Sequence, residues 1–269
     1  MKHSNTPGGN RLLALRGALG KTQLDVELDA DIGSGYLQRV ESGKVKQPER
    51  ETLERILGAL GARYTERRDI LELFGYVVET SLPTSEETIW AVETCHQVLE
   101  SVSFPAYLLD CSHRLLTWNK YTPKLFGLDT ASKDMEKLAD VSMLLILFDP
   151  KHGISQLIHN PDTFFDAAIR ALRYEMRLFR GENWYKDVIN DLMKLPLFEK
   201  YWTSVKPDSP YPTAARPLVP IELNVPLIGL LKFRLASEIL AEDRRFRIIY
   251  YLPADSKTMK QCAIWSDQA

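Results

Sequence analysis

Hydrophobic positions in the first 76 residues recur every three or four places, the spacing of helices that bury one face. Leu12, Leu15 and Leu19 set the first helix, and Gly20 stops it. Thr22 is placed to cap a second helix over 23–30. Asp31, Ile32 and Gly33 make a tight break, where Asp tolerates the left-handed backbone of a sharp turn. A third short helix over 34–42, with Leu37 and Val40 inward, ends at Gly43. Leu53, Ile56, Leu57 and Leu60 share one face of a fourth, and Ile70, Leu71, Leu73 and Phe74 mark a fifth. The segment 81–85 reads as a linker, and a helix over 85–102 follows it.

Beyond residue 103 the pattern changes. Runs at 106–110 and 114–118 predict two short strands around a turn at Cys111-Ser112-His113. Helices are predicted over 138–147, 161–180, 184–194 and 197–202. The proline-dense segment 207–226 predicts a loop or an edge strand. Residues 229–237 and 244–252 read as an antiparallel pair joined by 238–243. The fold class expected is α+β: an N-terminal all-α helix-turn-helix domain over 1–80, a connecting segment over 81–102, and a C-terminal domain of antiparallel sheet and helices over 103–269.

Composition sharpens this division. The 269 residues are 45% hydrophobic and 26% charged, normal for a folded globular chain. Residues 1–75 carry only Tyr36, Tyr64 and Phe74 as aromatics, whereas all five Trp lie after residue 89. The net charge of −2 gives no global basic field. Between Ile32 and Arg50, however, four basic residues (Arg39, Lys44, Lys46, Arg50) face two acidic ones (Glu41, Glu49). The longest apolar runs, 143–148 and 225–231, are far short of the roughly 20 residues of a membrane span. The first ten residues lack the apolar core of a signal peptide, so a cytoplasmic protein with no membrane partner is expected. Cys95, Cys111 and Cys262 read as buried free thiols.

The candidate chemistry is binding rather than catalysis. No nucleophile elbow, phosphate loop, dinucleotide fingerprint or zinc-protease motif is present, and the five His show no metal spacing. No enzyme activity, catalytic residue or metal is expected. In the front, the short third helix presents Gly35, Gln38, Arg39 and Ser42 opposite its apolar side, with Ser34 near its start. Gln and Arg make bidentate contacts with base edges, and Lys44 and Lys46 suit phosphates. A helical dimerisation or adaptor module is the competing reading of the same surface. In the back, Phe165, Ala168, Ile169, Leu172, Met176 and Phe179 form one buried helical face. Arg170, Arg173, Arg177 and Arg180 follow the same rhythm one residue on. They read either as a solvated edge with apolar stems or as the source of a partner for an anionic head group. Asn119 reads either as a head-group contact or as a helix cap.

Two resemblances add to this. Thr22-Gln23, Tyr36-Leu37-x-Arg39-Val40-Glu41-x-Gly43, Pro48 and the Leu53/Ile56/Leu57/Leu60 helix resemble the Xre-type (lambda-repressor-like) helix-turn-helix of bacterial regulators. The resemblance implies double-stranded operator DNA as partner, with contacts falling on Gln23, Ser34, Gly35, Gln38 and Arg39 and with Tyr36 at the groove edge. Glu27 and Asp31 depart from it, standing where the family has a small Ala and a Gly.

The second resemblance lies in order along 103–255. It comprises Phe104-Pro105-Ala106-Tyr107-Leu108-Leu109-Asp110, Leu116-x-Trp118-Asn119, Leu125-Phe126-Gly127, Leu144-Leu145-x-Leu147-Phe148-Asp149-Pro150, Ala171-Leu172-Arg173, Phe198-x-x-x-Trp202 and Pro226-Leu227-Ile228-Gly229. This set is similar to the MmyB-like family of regulators, whose C-terminal half is PAS-like. Ser142 departs from it, where the family has Asn. The resemblance implies a small-molecule cavity between sheet and helices. Tyr107, Asn119, Phe126, Phe165, Ile169, Leu172, Arg173, Met176 and Phe179 are the residues expected to line it, whereas Trp118, Phe148, Trp184 and Trp202 read as structural. The expected ligand is apolar or amphiphilic, with a bound fatty acid fitting both the apolar face and the arginine stripe. A haem or flavin sensor and a small acyl hydrolase are the rival readings. A homodimer is expected, since paired half-sites match a twofold protein.

Overall fold

The computed structural model describes residues 6–128, 135–205 and 220–267, and its contacts divide the chain into two compact units. The first unit takes residues up to 79 with 241–244, and the second takes 80–240 with the residues from 245 on. Each is described by itself.

The front unit is five helices: α1 (Pro7–Ala18), α2 (Gln23–Asp29), α3 (Tyr36–Glu41), α4 (Arg50–Ala59) and α5 (Tyr64–Leu73). Thr22 closes a capping box on α2: its hydroxyl accepts the Asp25 N–H, and the Asp25 carboxylate accepts the Thr22 N–H. Leu12, Leu37, Val40, Leu53, Ile56, Leu57 and Ile70 are fully buried in one aliphatic core. At Gly9 a Cβ would stand 2.6 Å from the Val40 carbonyl, so the missing side chain lets α1 lie against α3. Asp31 takes φ 49°, the left-handed backbone expected of the α2–α3 break, and Arg55 donates to its carbonyl at 2.8 Å.

The back unit opens with α6 (Ser85–Ser101), followed by the strands β1 (Ala106–Asp110) and β2 (Leu115–Trp118). The short helices α7 (Thr122–Leu125), α8 (Met143–Phe148) and α9 (Ile154–Leu157) come next, then α10 (Pro161–Glu175), α11 (Asn183–Leu192) and α12 (Pro196–Ser204). β3 (Ile221–Val225), β4 (Gly229–Ile239), β5 (Phe246–Pro253) and a C-terminal helix (Ser256–Asp267) complete it. All neighbouring strands are antiparallel, in the order β2-β1-β5-β4-β3, and form a half-barrel. The α+β class read from the sequence holds.

Side chains alternate across a strand, so each face of the sheet needs its own cover. On β1, Ala106 and Leu108 pack with Ala91, Cys95 and Leu99 of α6. Tyr107 and Leu109 point the other way, into the core shared with the helices. The segment expected to be a connector is therefore, from Thr80 on, part of the back unit and covers its sheet.

Two helix boundaries differ from the sequence reading, and one helix was not foreseen. The helix expected over 138–147 is a 3-10 turn (Glu136–Leu138), a break with Asp140 at φ 61°, and then α8. Ser142, the departure noted above, caps α8 by accepting the Leu144 N–H at 3.3 Å. The helix expected over 161–180 stops at Glu175 and continues as a 3-10 turn (Met176–Phe179). The proline-dense segment lies largely outside the described residues, but its last part is the edge strand β3. The C-terminal helix was not legible, because only Thr258, Cys262 and Trp265 of its residues are buried.

Candidate ligand cavity and polar helix surface

The inner face of the sheet and the helices above it do not close on each other. Between them lies a cavity walled almost entirely by apolar side chains. The sheet contributes Tyr107 and Leu109 of β1, Ile221 and Leu223 of β3, Leu235 of β4, and Ile249 and Tyr251 of β5. These share one face by register: Tyr107 pairs with Ile249, and Leu235 with Tyr251. The helices contribute Phe126 after α7, Met143, Leu144 and Leu147 of α8, Ile154 of α9, and Phe164, Ala167 and Ala168 of α10. The two alanines keep the space open where longer side chains would fill it.

Polar atoms enter the wall at two places. The Tyr107 and Tyr251 hydroxyls lie 3.4 Å apart. His113, 2% exposed, comes from the β1–β2 turn. The fully buried Asp110 builds that turn: its carboxylate accepts the Ser112 N–H and hydroxyl, both at 2.8 Å, the Arg114 N–H at 3.0 Å and the Arg114 Nε–H at 2.7 Å. The closure holds His113 at φ 66°, a left-handed backbone uncommon for a residue with a side chain, and sets its ring in the cavity wall. Its Nε2 stands 3.9 Å from the Glu175 carboxylate, which Arg247 pairs.

Of the residues expected in the lining, the structure brings Tyr107 and Phe126 to the cavity. Phe165, Ile169, Leu172, Met176 and Phe179 are buried, but not in its wall. Helix α10 is buried on two adjacent faces, and the face toward the cavity is Phe164, Ala167 and Ala168. Phe165 instead packs against Phe148 and Tyr201, with ring centroids 5.0 and 5.1 Å away.

Asn119 is fully engaged as a backbone clamp. Its amide nitrogen donates to the Leu99 and Phe104 carbonyls, and its oxygen accepts the Ala106 and Tyr121 N–H groups and the Thr122 hydroxyl. Of its two readings, the cap is the one this geometry fits. Arg173 donates to the Val205 and Trp202 carbonyls at 2.7 and 2.5 Å and lies 4.3 Å over the Trp202 ring. Burial holds its pKa below the usual arginine value. Arg170 pairs with Asp166, Arg177 stacks over Tyr174, and the Arg180 cation lies near the Tyr185 hydroxyl. The stripe is thus an edge whose members are engaged locally, and none stands in the cavity wall among the described residues. His113 and Tyr251 were missed; only the tight Asp110–Arg114 turn hints at the former.

In the front unit Ser34, Gln38, Arg39, Lys44 and Lys46 are exposed, and Gly35 and Tyr36 half-buried. Arg39 lies 5.5 Å over the Tyr36 ring. Gln23 is held: its side-chain amide donates to Glu41 at 2.6 Å. Arg16 grips the same buried carboxylate at 2.7 and 3.1 Å, and this hydrogen bond outweighs burial to keep the Arg16 pKa above its usual value. The unexpected Glu27 is buried, and its two oxygens accept the Gly35 and Leu37 N–H groups at 3.0 and 2.9 Å. It satisfies donors that a helix start leaves without partners, and it complements the helix dipole.

Among the described residues no group of three His, Cys, Asp or Glu is placed to hold a metal ion, and no helix is long and apolar enough to cross a membrane. No curated protein matches the chain. The family of the MmyB-like transcription regulator ligand binding domain matches residues 92–263, more than half of the chain and all five strands with the cavity they wall. The chain therefore belongs to the MmyB-like transcription regulators, which respond to a ligand bound in this domain.

Proposed function

We propose that the front unit binds double-stranded operator DNA through α3 and the loop after it, and that the back unit binds a single-chain amphiphile such as a fatty acid. The observation that carries the second part is a cavity with apolar walls on both its sheet and its helix side and one buried histidine among them. A methylene chain suits such walls, and a single polar head suits the histidine. The first part rests on the exposed row Ser34, Gln38, Arg39, Lys44 and Lys46 beside the sharp α2–α3 turn. Ligand acts by population shift, favouring one arrangement of the protein and so changing DNA affinity. A homodimer presenting two α3 helices to paired half-sites fits this use, and the exposed Ile89 and Val98 of α6 are candidates for its contact.

Native mass spectrometry of the purified protein, with extraction of bound lipid, tests the ligand. An acyl chain released in stoichiometric amount supports it; a protein that takes up no acyl chain, even when one is added, rejects it. For the DNA part, affinity for the chain's own promoter falls steeply with salt, and Arg39→Ala weakens it by about 10-fold or more. Unchanged binding by Arg39→Ala would contradict the assignment.

A further inference from the structure

Polar groups meet the cavity at two places of different chemistry. Along α10, Phe164 and Ala168 line the cavity, and Glu175 lies seven residues, two turns, beyond Ala168 on the same side of the helix. Along β5, Ile249 and Tyr251 line the cavity and Arg247 is the next residue on that face. Both elements therefore leave the apolar space at one place, the Glu175–Arg247 ion pair, and His113 stands there in the wall. The other polar position is the pair of tyrosine hydroxyls, which carries no positive charge.

We propose that His113 receives the anionic head group of the ligand, with the Glu175–Arg247 pair behind it as a neutral seat. This rests on the reading of the cavity as an acyl-chain site. A bare carboxylate in an apolar cavity is costly unless it is paired and hydrogen-bonded. Among the described lining residues His113 alone can bear a positive charge. The charged groups around it are Glu175 on α10, Arg247 on β5, the Asp110–Arg114 pair of its own turn, and Asp140 beside Arg114. The two ion pairs cancel internally, which leaves Asp140 as the one further charge of the surroundings. An anionic head group adds a second negative charge to this setting, and a proton taken from solvent onto His113 balances the added one. The buried Asp110, which forces the left-handed turn, is the device that fixes the ring there.

The test is isothermal titration of the full chain with decanoate and with 1-decanol at pH 7.5, in two buffers of different ionisation heat. Decanoate should bind roughly 10- to 100-fold more tightly than the alcohol, the worth of one charge-assisted hydrogen bond. Its binding should take up about one proton, and that of the alcohol none. His113→Gln should bring the acid down to the alcohol's affinity, abolish proton uptake, and leave the alcohol within about 2-fold. Equal affinity of acid and alcohol for the wild-type protein, or no proton uptake, overturns the head-group assignment while the acyl-chain reading stands. Binding of neither overturns both. The wild-type comparison needs no variant to fold.

Discussion

The two units bury charge in opposite ways. In the front, Glu27 and Glu41 are buried carboxylates saturated by donors from their own unit: two backbone N–H groups for one, Arg16 and Gln23 for the other. They fix α3 and leave its polar row facing out. In the back, His113 sits at the wall of an unfilled space, in a strained turn that another carboxylate enforces. Buried polar groups bonded within their own unit stiffen a structure, and a titratable group in a cavity wall adds a polar position to an otherwise apolar lining. The front thus holds α3 on a rigid platform, and the back encloses a cavity within its family's ligand-binding domain.

Substitutions can break or sharpen this contrast. The largest effect is expected from filling the cavity. Ala168→Phe should abolish acyl-ligand binding, at a folding cost of about 1–3 kcal/mol from overpacking, and leave the front unit's DNA contacts intact. A fluorescent fatty-acid displacement assay reads it, and retained binding would place the ligand elsewhere. Next is Asn119→Ala, which orphans several buried backbone groups at once. It should cost roughly 3–5 kcal/mol in chemical denaturation, far more than a ligand contact at the same position would.

Glu27→Ala should cost about 2–4 kcal/mol, because it leaves the Gly35 and Leu37 N–H groups without acceptors, and it should weaken DNA binding by loosening α3. A melt unchanged by this substitution would remove the rigid-platform account. The smallest effect is that of Arg173→Met. It loses the hydrogen bonds to Trp202 of α12 and to Val205 just after it, and the Trp202 stack, for about 1–2 kcal/mol, while acyl affinity should stay within about 2-fold of wild type.

The same contrast explains what could be read from the sequence. The front helices and the strand β1 were legible because period and caps are local: Thr22, Gly20 and Gly43 fix their neighbours whatever lies beyond. The lining was legible only at Tyr107 and Phe126. Helical periodicity reports that Phe165, Ile169 and Leu172 are buried, but not what stands opposite them. Helix α10 meets neighbours over two faces, and the cavity lies under the one with the small residues, Ala167 and Ala168, which carry the weakest hydrophobic signal. His113 was hidden for a related reason. Its role follows from a backbone angle set by Asp110 and from register across β1 and β5, and neither is written in spacing.

Under the proposed function, occupancy of the back cavity changes what the front surface does. The direct measurement is a titration of promoter DNA with the full chain, with and without saturating decanoate, in wild type and in Ala168→Phe. A shift in DNA affinity of about 5-fold or more is expected in wild type, the usual size of coupling between two sites, and none in the cavity-filled variant. Identical DNA affinity with and without bound acyl chain in the wild-type protein would contradict it.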